Sequence, residues 1–158
     1  MIPRAVEETK RVNEAGAAVW ATLGYNRMQA SWGLPKLLRL LAHYRGLAAG
    51  TRLVHQTDFI NRRLVGAEVA TDTSNALKTG VDLINECWPR EVFAALGVPE
   101  EILPTVVRAG TSLGVVSTEA AAQTGIRQGT PVIAGMTDGC AAQMAAGALN
   151  ATPWSKAR

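Results

Sequence analysis

The sequence predicts a helix-rich α/β domain, and three observations carry that reading. Apolar residues recur three and four positions apart in several stretches, as a helix buried on one face requires. Glycines stand at the ends of those stretches, where helices stop. Two apolar runs near the end, TSLGVVS and TPVIAG, are too short for helices and are bounded by turn residues.

The elements follow in order. Val12, Ala15, Val19 and Leu23 predict a first helix. It opens near Pro3, where a first-turn proline is tolerated, and closes near Gly24. In SWGLPKLLRLLAHYRG, residues Leu34, Leu37, Leu38 and Leu41 predict a second helix with Gly46 as its stop. HQTDFINRRLVG predicts a third, with Ile60 and Leu64 on one face and Gly66 at the end. Asp58 stands four residues before Arg62, a spacing that allows a surface pair worth about 0.2–0.5 kcal/mol. The pattern then breaks: Thr71, Asp72, Thr73, Ser74 and Asn75 all compete for backbone hydrogen bonds, which predicts an irregular, hydrogen-bonded loop. WPREVFAALG is a short helix opened by Pro89 and closed by Gly97, and PEEILP is a capped turn. TSLGVVS predicts a strand, TEAAAQTG a helix, TPVIAG a strand and residues 138–149 a last helix.

At 158 residues, 47% hydrophobic and 18% charged, the chain has the composition of one globular domain. The net charge of +3 is diffuse, and no Lys/Arg run is interleaved with aromatics, which argues against nucleic-acid binding. No stretch reaches the roughly 20 apolar residues of a membrane span, and the charged first residues do not form a secretory signal, so a cytoplasmic setting is expected. Cys87 and Cys140 stand in no metal-ligand spacing and read as two free thiols.

Chemistry has few carriers. There is no G-x-x-x-x-G-K-[ST] loop and no G-x-G-x-x-G after a strand. His43 and His55 lack zinc spacing and read as surface or capping residues, so no metal ligand is assigned. Ser74 and Ser117 have no nucleophile-elbow context. What remains is Asp138, the single acid of TPVIAGMTDGCAAQMAAG, at a strand-to-helix junction. Position alone favours a helix N-cap, where a carboxylate satisfies orphan amides. The second role, compatible with the first, is chemical. Strand ends of open α/β sheets face the ligand crevice, and a carboxylate there, with Gly135 and Gly139 leaving space, can accept a proton from a substrate hydroxyl.

The order of the motifs resembles the FGGY family of carbohydrate kinases, whose members include xylulokinases, ribulokinases and glycerol kinases. Five elements occur in the family's order: D-F-x-x-x-x-L-x-G at Asp58–Gly66, T-D-x-S-N-A at Thr71–Ala76, W-x8-G-V-P at Trp88–Pro99, L-P-x-V-x-x-x-G at Leu103–Gly110, and G-x-P-V-x-x-G-x-x-D at Gly129–Asp138. SWGLPKLLRLL is similar to the helix that precedes them. The resemblance implies a partial actin-like (ribonuclease-H-like) ATPase domain over residues 1–149, followed by a non-matching tail at 150–158. It implies transfer of a phosphoryl group from ATP, with Mg²⁺, to a hydroxyl of a sugar or polyol, and it puts Asp138 in the position of the catalytic base. SNALKTGVDL and PKLLRLL lean towards a ketopentose. Arg4 falls near the family's sugar-contacting N-D-x-R-like element, of which the Asp is missing; it is carried as a substrate-binding candidate beside its plainer reading as a solvated helix-start residue.

Other departures shape what to expect. The family's D-x-G-T-type and G-T-T-type phosphate loops and its adenine-holding second domain have no counterpart in the 158 residues. The chain is therefore expected to lack the N-terminal strands, to be inactive by itself, and to associate or aggregate through uncovered sheet edges. The alternative from another functional class is a non-catalytic remnant, or an interaction protein that retains this segment of the fold.

Overall fold

The computed structural model describes residues 5–25, 27–44 and 47–147. Arg4, Pro3, Gly46 and the 150–158 tail lie outside the described residues, and so does the expectation attached to each.

The first predicted helix is two helices, α1 (Val6–Ala15) and α2 (Ala17–Thr22), with a break at Gly16. The reason is Trp20. Its indole Nε1 donates to the Val12 carbonyl at 2.9 Å, so the ring folds back over the junction. A Cβ on Gly16 would sit 2.1 Å from that ring, which leaves glycine as the residue that fits. The leucine-rich second helix is α3 (Gly33–His43), and it packs on α1. Leu34, Leu37 and Leu38 are buried there with Val12, Trp20 and Met28.

Helix α4 (Gln56–Val65) ends at Gly66 as expected, in the left-handed conformation. Two expectations for this helix fail. Ile60 is 53% exposed, while Leu64 packs inward. Asp58 is buried and does not reach Arg62, which instead pairs with Glu68 at 2.8 Å. The cause is helix entry. Asp58 lies in the first turn and accepts the His55 backbone N–H at 2.9 Å, which turns the carboxylate inward.

The stretch expected to be an irregular loop is regular in pieces. Strand β1 (Thr71–Asp72) leads into the one-turn helix α5 (Thr73–Ala76) and a 3₁₀ turn over Leu77–Thr79. Helix α6 (Arg90–Ala95) and a 3₁₀ turn at Glu100–Ile102 match WPREVFAALG and PEEILP. Strand β2 (Val106–Val107) then pairs parallel to β1, Thr71 opposite Val106 and Asp72 opposite Val107. This pair was not foreseen, since two residues are too few to show a period.

The remaining elements follow in the expected order: β3 (Ser112–Val115), α7 (Thr118–Thr124), β4 (Pro131–Ile133) and α8 (Asp138–Ala145), the last ending short of the expected residue 149. Strands β3 and β4 pair antiparallel, connected through α7, with an irregularity between Ser112 and Gly114. Gly114 has φ +139°, and a Cβ there would lie 2.8 Å from Val65 Cγ1, so glycine lets α4 pack directly on the strand. The hydrophobic core is divided. A large helical cluster runs from Val12 through Trp88 and Phe93 to Ile102. A small one joins Val116, Ala120 and Val132 under α4.

Candidate active site at the β4–α8 junction

Asp138 stands where the sequence put it, at the turn from strand to helix. After β4, Ala134 still pairs with the neighbouring segment: its N–H donates to Thr111 O at 2.8 Å and its carbonyl accepts from Gly110 N at 2.7 Å. The chain then leaves the strand pair through Gly135 and Met136 and enters α8. The N-cap of that helix is Thr137, not Asp138. Asp138 is the first helical residue, and its Oδ1 accepts from Gly139 N–H at 2.8 Å. One orphan amide is thus satisfied and the negative charge lies at the positive end of the helix. The carboxylate is exposed, and Cβ positions built at Gly135 and Gly139 meet no atom within 4 Å. A molecule can approach this face.

The T-D-x-S-N-A segment reaches the same place, which sequence reasoning missed. Asp72 is buried and gathers four hydrogen bonds. Oδ1 accepts from Ser74 N at 2.9 Å, Asn75 N at 3.0 Å and Ser74 Oγ at 2.5 Å, and Oδ2 accepts from Asn75 Nδ2 at 2.5 Å. Burial pushes this carboxyl up, but the bonds from Ser74 and Asn75 together outweigh it and hold it below the ordinary carboxylate value. Across 63 residues, Thr137 N–H donates to Ser74 Oγ at 2.9 Å. The loop that pins α5 therefore also holds the backbone one residue before Asp138.

A second polar group anchors this loop from below. The His55 ring places Nδ1 2.9 Å from Asp58 Oδ2 and from Thr71 Oγ1, with Nε2 3.0 Å from Thr79 Oγ1. His55 is thus a capping residue, as one of its two readings had it, and it ties the start of α4 to β1. His43 is exposed. Ser117 caps α7 by accepting from Ala120 N at 3.2 Å. Neither joins Asp138. Cys87 and Cys140 are both free.

Two cavities lie away from Asp138. One, about 500 Å³, is an apolar groove beside α3 that includes Leu40, Tyr44 and Leu53. Another, about 430 Å³, lies between Lys10 and Arg27. Neither holds a carboxylate at a strand end, and Asp138 instead forms part of an open surface. Among the described residues no three His, Cys, Asp or Glu side chains come together in a way that could hold a metal. No helix there is long and apolar enough to cross a membrane.

Comparison with known proteins matches this arrangement to one family. The model of the FGGY family of carbohydrate kinases, N-terminal domain, matches residues 3–145. An autoinducer-2 kinase of Yersinia enterocolitica is 37% identical over 139 residues, covering 85% of this chain and 26% of its own length. One from Enterobacter sp. is 39% identical over 110 residues, covering 66% of this chain and 20% of its own. Among solved structures, xylulose kinase from Rhodospirillum rubrum superimposes with TM-score 0.66 at 28% identity, over 87% of this chain and 30% of that one. Plasmodium falciparum glycerol kinase with ADP gives 0.70 at 17% identity over 87% and 29%, a likeness of fold alone. The chain spans about a fifth to a quarter of the length of these curated relatives. With the strand-end aspartate, the T-D-x-S-N-A loop beside it and the match over residues 3–145, the chain belongs to the FGGY family of carbohydrate kinases, as a partial N-terminal domain of the actin-like ATPase fold.

Proposed function

We propose that this chain provides the acceptor side of an ATP-dependent phosphoryl transfer to a hydroxyl of a ketopentose-like sugar, with Asp138 as general base. The observation that supports the reading most is the placement of Asp138. It is an exposed carboxylate on a hydrogen-bonded turn, bare of side chains at Gly135 and Gly139. Attack by a hydroxyl oxygen on phosphorus requires the hydroxyl proton to leave, and a carboxylate within hydrogen-bond reach can take it. ATP and Mg²⁺, when bound, supply the phosphoryl group and compensate its charge. The described residues fit the proton-accepting part of this chemistry. No phosphate loop is found in the sequence, so the 158-residue chain alone is held to be inactive.

A specific observation favours a second acceptor. Relatives named autoinducer-2 kinases are 36–39% identical, against 28% for the xylulose kinase structure. Autoinducer-2 is thus the competing substrate to ketopentoses. Arg4, near the family's sugar-contacting element, is kept as a substrate-binding proposal.

The test is turnover of residues 1–147 rebuilt within a full-length relative, with D-xylulose, D-ribulose and autoinducer-2 each offered as acceptor. Asp138→Asn keeps the size and loses the proton acceptor. The expected result is a fall in turnover of about 10²–10⁴-fold with sugar binding retained. Near-normal turnover would sink the base assignment.

A further inference from the structure

We propose that Ser74 is a positioning residue: its hydroxyl, held by the buried Asp72 carboxylate, fixes the Thr137 backbone and so aims Asp138. This rests on the reading of Asp138 as the base. The argument begins with the capacity of a hydroxyl, which offers one donor and two acceptor sites. The Ser74 proton is spent on Asp72 Oδ1 at 2.5 Å. Its lone pairs remain, and one receives Thr137 N–H at 2.9 Å. A hydroxyl that donates to a charged group is a better acceptor, since bonds in series polarise one another. Asp72 itself cannot swing, because Ser74 N, Asn75 N and Asn75 Nδ2 hold its two oxygens.

The turn needs such a hold. Ala134 makes the last bonds to the neighbouring strand segment, and α8 begins only at Asp138. Between them, among the described residues, Thr137 N–H to Ser74 Oγ is the hydrogen bond that ties residues 135–138 to another element. Packing does little there, since α8 buries none of its described side chains. Gly135 and Gly139 flank the carboxylate with open space. Openness admits a substrate and removes the walls that would otherwise orient Asp138. A general base must sit within a fraction of an ångström of its proton, so the orientation has to come from the backbone. Ser74 supplies it from a loop anchored in the core.

The test uses the 158-residue chain labelled with ¹⁵N and compares Ser74→Ala with Ser74→Thr. Ser74→Ala is expected to speed amide exchange at Thr137 by about tenfold, the change that one net hydrogen bond makes. Backbone order at residues 136–138 is expected to drop from about 0.85 towards 0.6. The hydrogen-bonded amides flanking the β3–β4 pair, Val116 and Ala134, stay protected. Ser74→Thr keeps the hydroxyl and restores Thr137. Unchanged exchange at Thr137 in Ser74→Ala would overturn the proposal. So would a uniform rise at every amide, since that is the mark of a purely structural serine. Asp138→Asn is expected to leave Thr137 protection intact. The exchange result is therefore independent of the base assignment: a silent Asp138→Asn in the turnover assay refutes the base, and an unmoved Thr137 refutes the relay.

Discussion

The helical part of the molecule and the part that carries Asp138 are built on opposite terms. Around Leu34, Phe93 and Trp20, side chains are sealed: Phe93 is 2% exposed and Leu34 fully buried. Around Asp138, the small cluster of Val116, Ala120 and Val132 supports a strand pair whose other face is open, with Val115 at 50% and Ile133 at 46% exposure. Helix α8 fully buries none of its described residues, and only Cys140 is half-buried. The first region is stabilised by apolar burial, and the second borrows its order through hydrogen bonds from Ser74 and Asp72. The lesson is that the turn before Asp138 is held by a polar contact to a loop 63 residues away. Its own residues are exposed, which suits the proposed approach of a substrate.

Phe93→Ala should break the comparison most forcefully, costing about 3–5 kcal/mol by leaving a cavity in the helical core. The denaturant midpoint would fall far, and the β3–β4 pair would lose its footing with it. A truncation at Val132, in the small cluster, should cost clearly less; an equal cost would show that the two cores are one.

Asp58→Ala comes next. It leaves the His55 backbone N–H and ring without their buried carboxylate partner, which should cost about 1–3 kcal/mol. Arg62→Ala, by contrast, removes a half-exposed pair to Glu68 and should move thermal stability by less than about 1 kcal/mol. A larger effect would mean that the Arg62–Glu68 pair is worth more than an exposed ion pair.

Acid titration sharpens the contrast between Asp72 and Asp138. The Asp72 carboxyl is held below its ordinary value of 3.8 by the hydrogen bonds of Ser74 and Asn75, against its burial. A folded-state value below the unfolded one adds stability that is fully present above about pH 4 and is lost as pH falls through the folded value. Unfolding midpoints measured from pH 6 to pH 2 should therefore fall less steeply for Asp72→Asn than for the parent chain. Parallel acid limbs would remove Asp72 from the account. Asp138→Asn should alter stability by no more than about 0.3–1 kcal/mol, the worth of a charge at a helix start.

The smallest expected effect is on association. Among the described residues the β3–β4 pair has unpaired outer edges, and Val115, Ile133 and, just after β4, Met136 are exposed. We expect weak self-association of the isolated chain by sedimentation, relieved by Ile133→Lys, because a charge on an edge opposes strand pairing. A compact monomer with sharp unfolding in both forms would argue that the open face is stable by itself.

Much of this was legible in one dimension. Leucine spacing located α3, glycines marked where α4 and α6 stop, and short apolar runs located β3 and β4, because each of these depends on residues within a few positions of one another. Motif order led to the family, and the strand-to-helix junction singled out Asp138. What the sequence could not carry was anything decided by a distant neighbour. The break at Gly16 depends on where the Trp20 ring folds. The inward turn of Asp58 depends on the entry geometry of α4 and on His55. Strand β1 exists because β2, 35 residues on, lies beside it. The hydrogen bond from Thr137 to Ser74 spans 63 positions and has no local signature. Local patterning determined the helices, their stops and strands β3 and β4. The tertiary fold alone decided which polar groups meet, because a hydrogen bond needs a partner within about 3 Å and chain order says nothing about that distance.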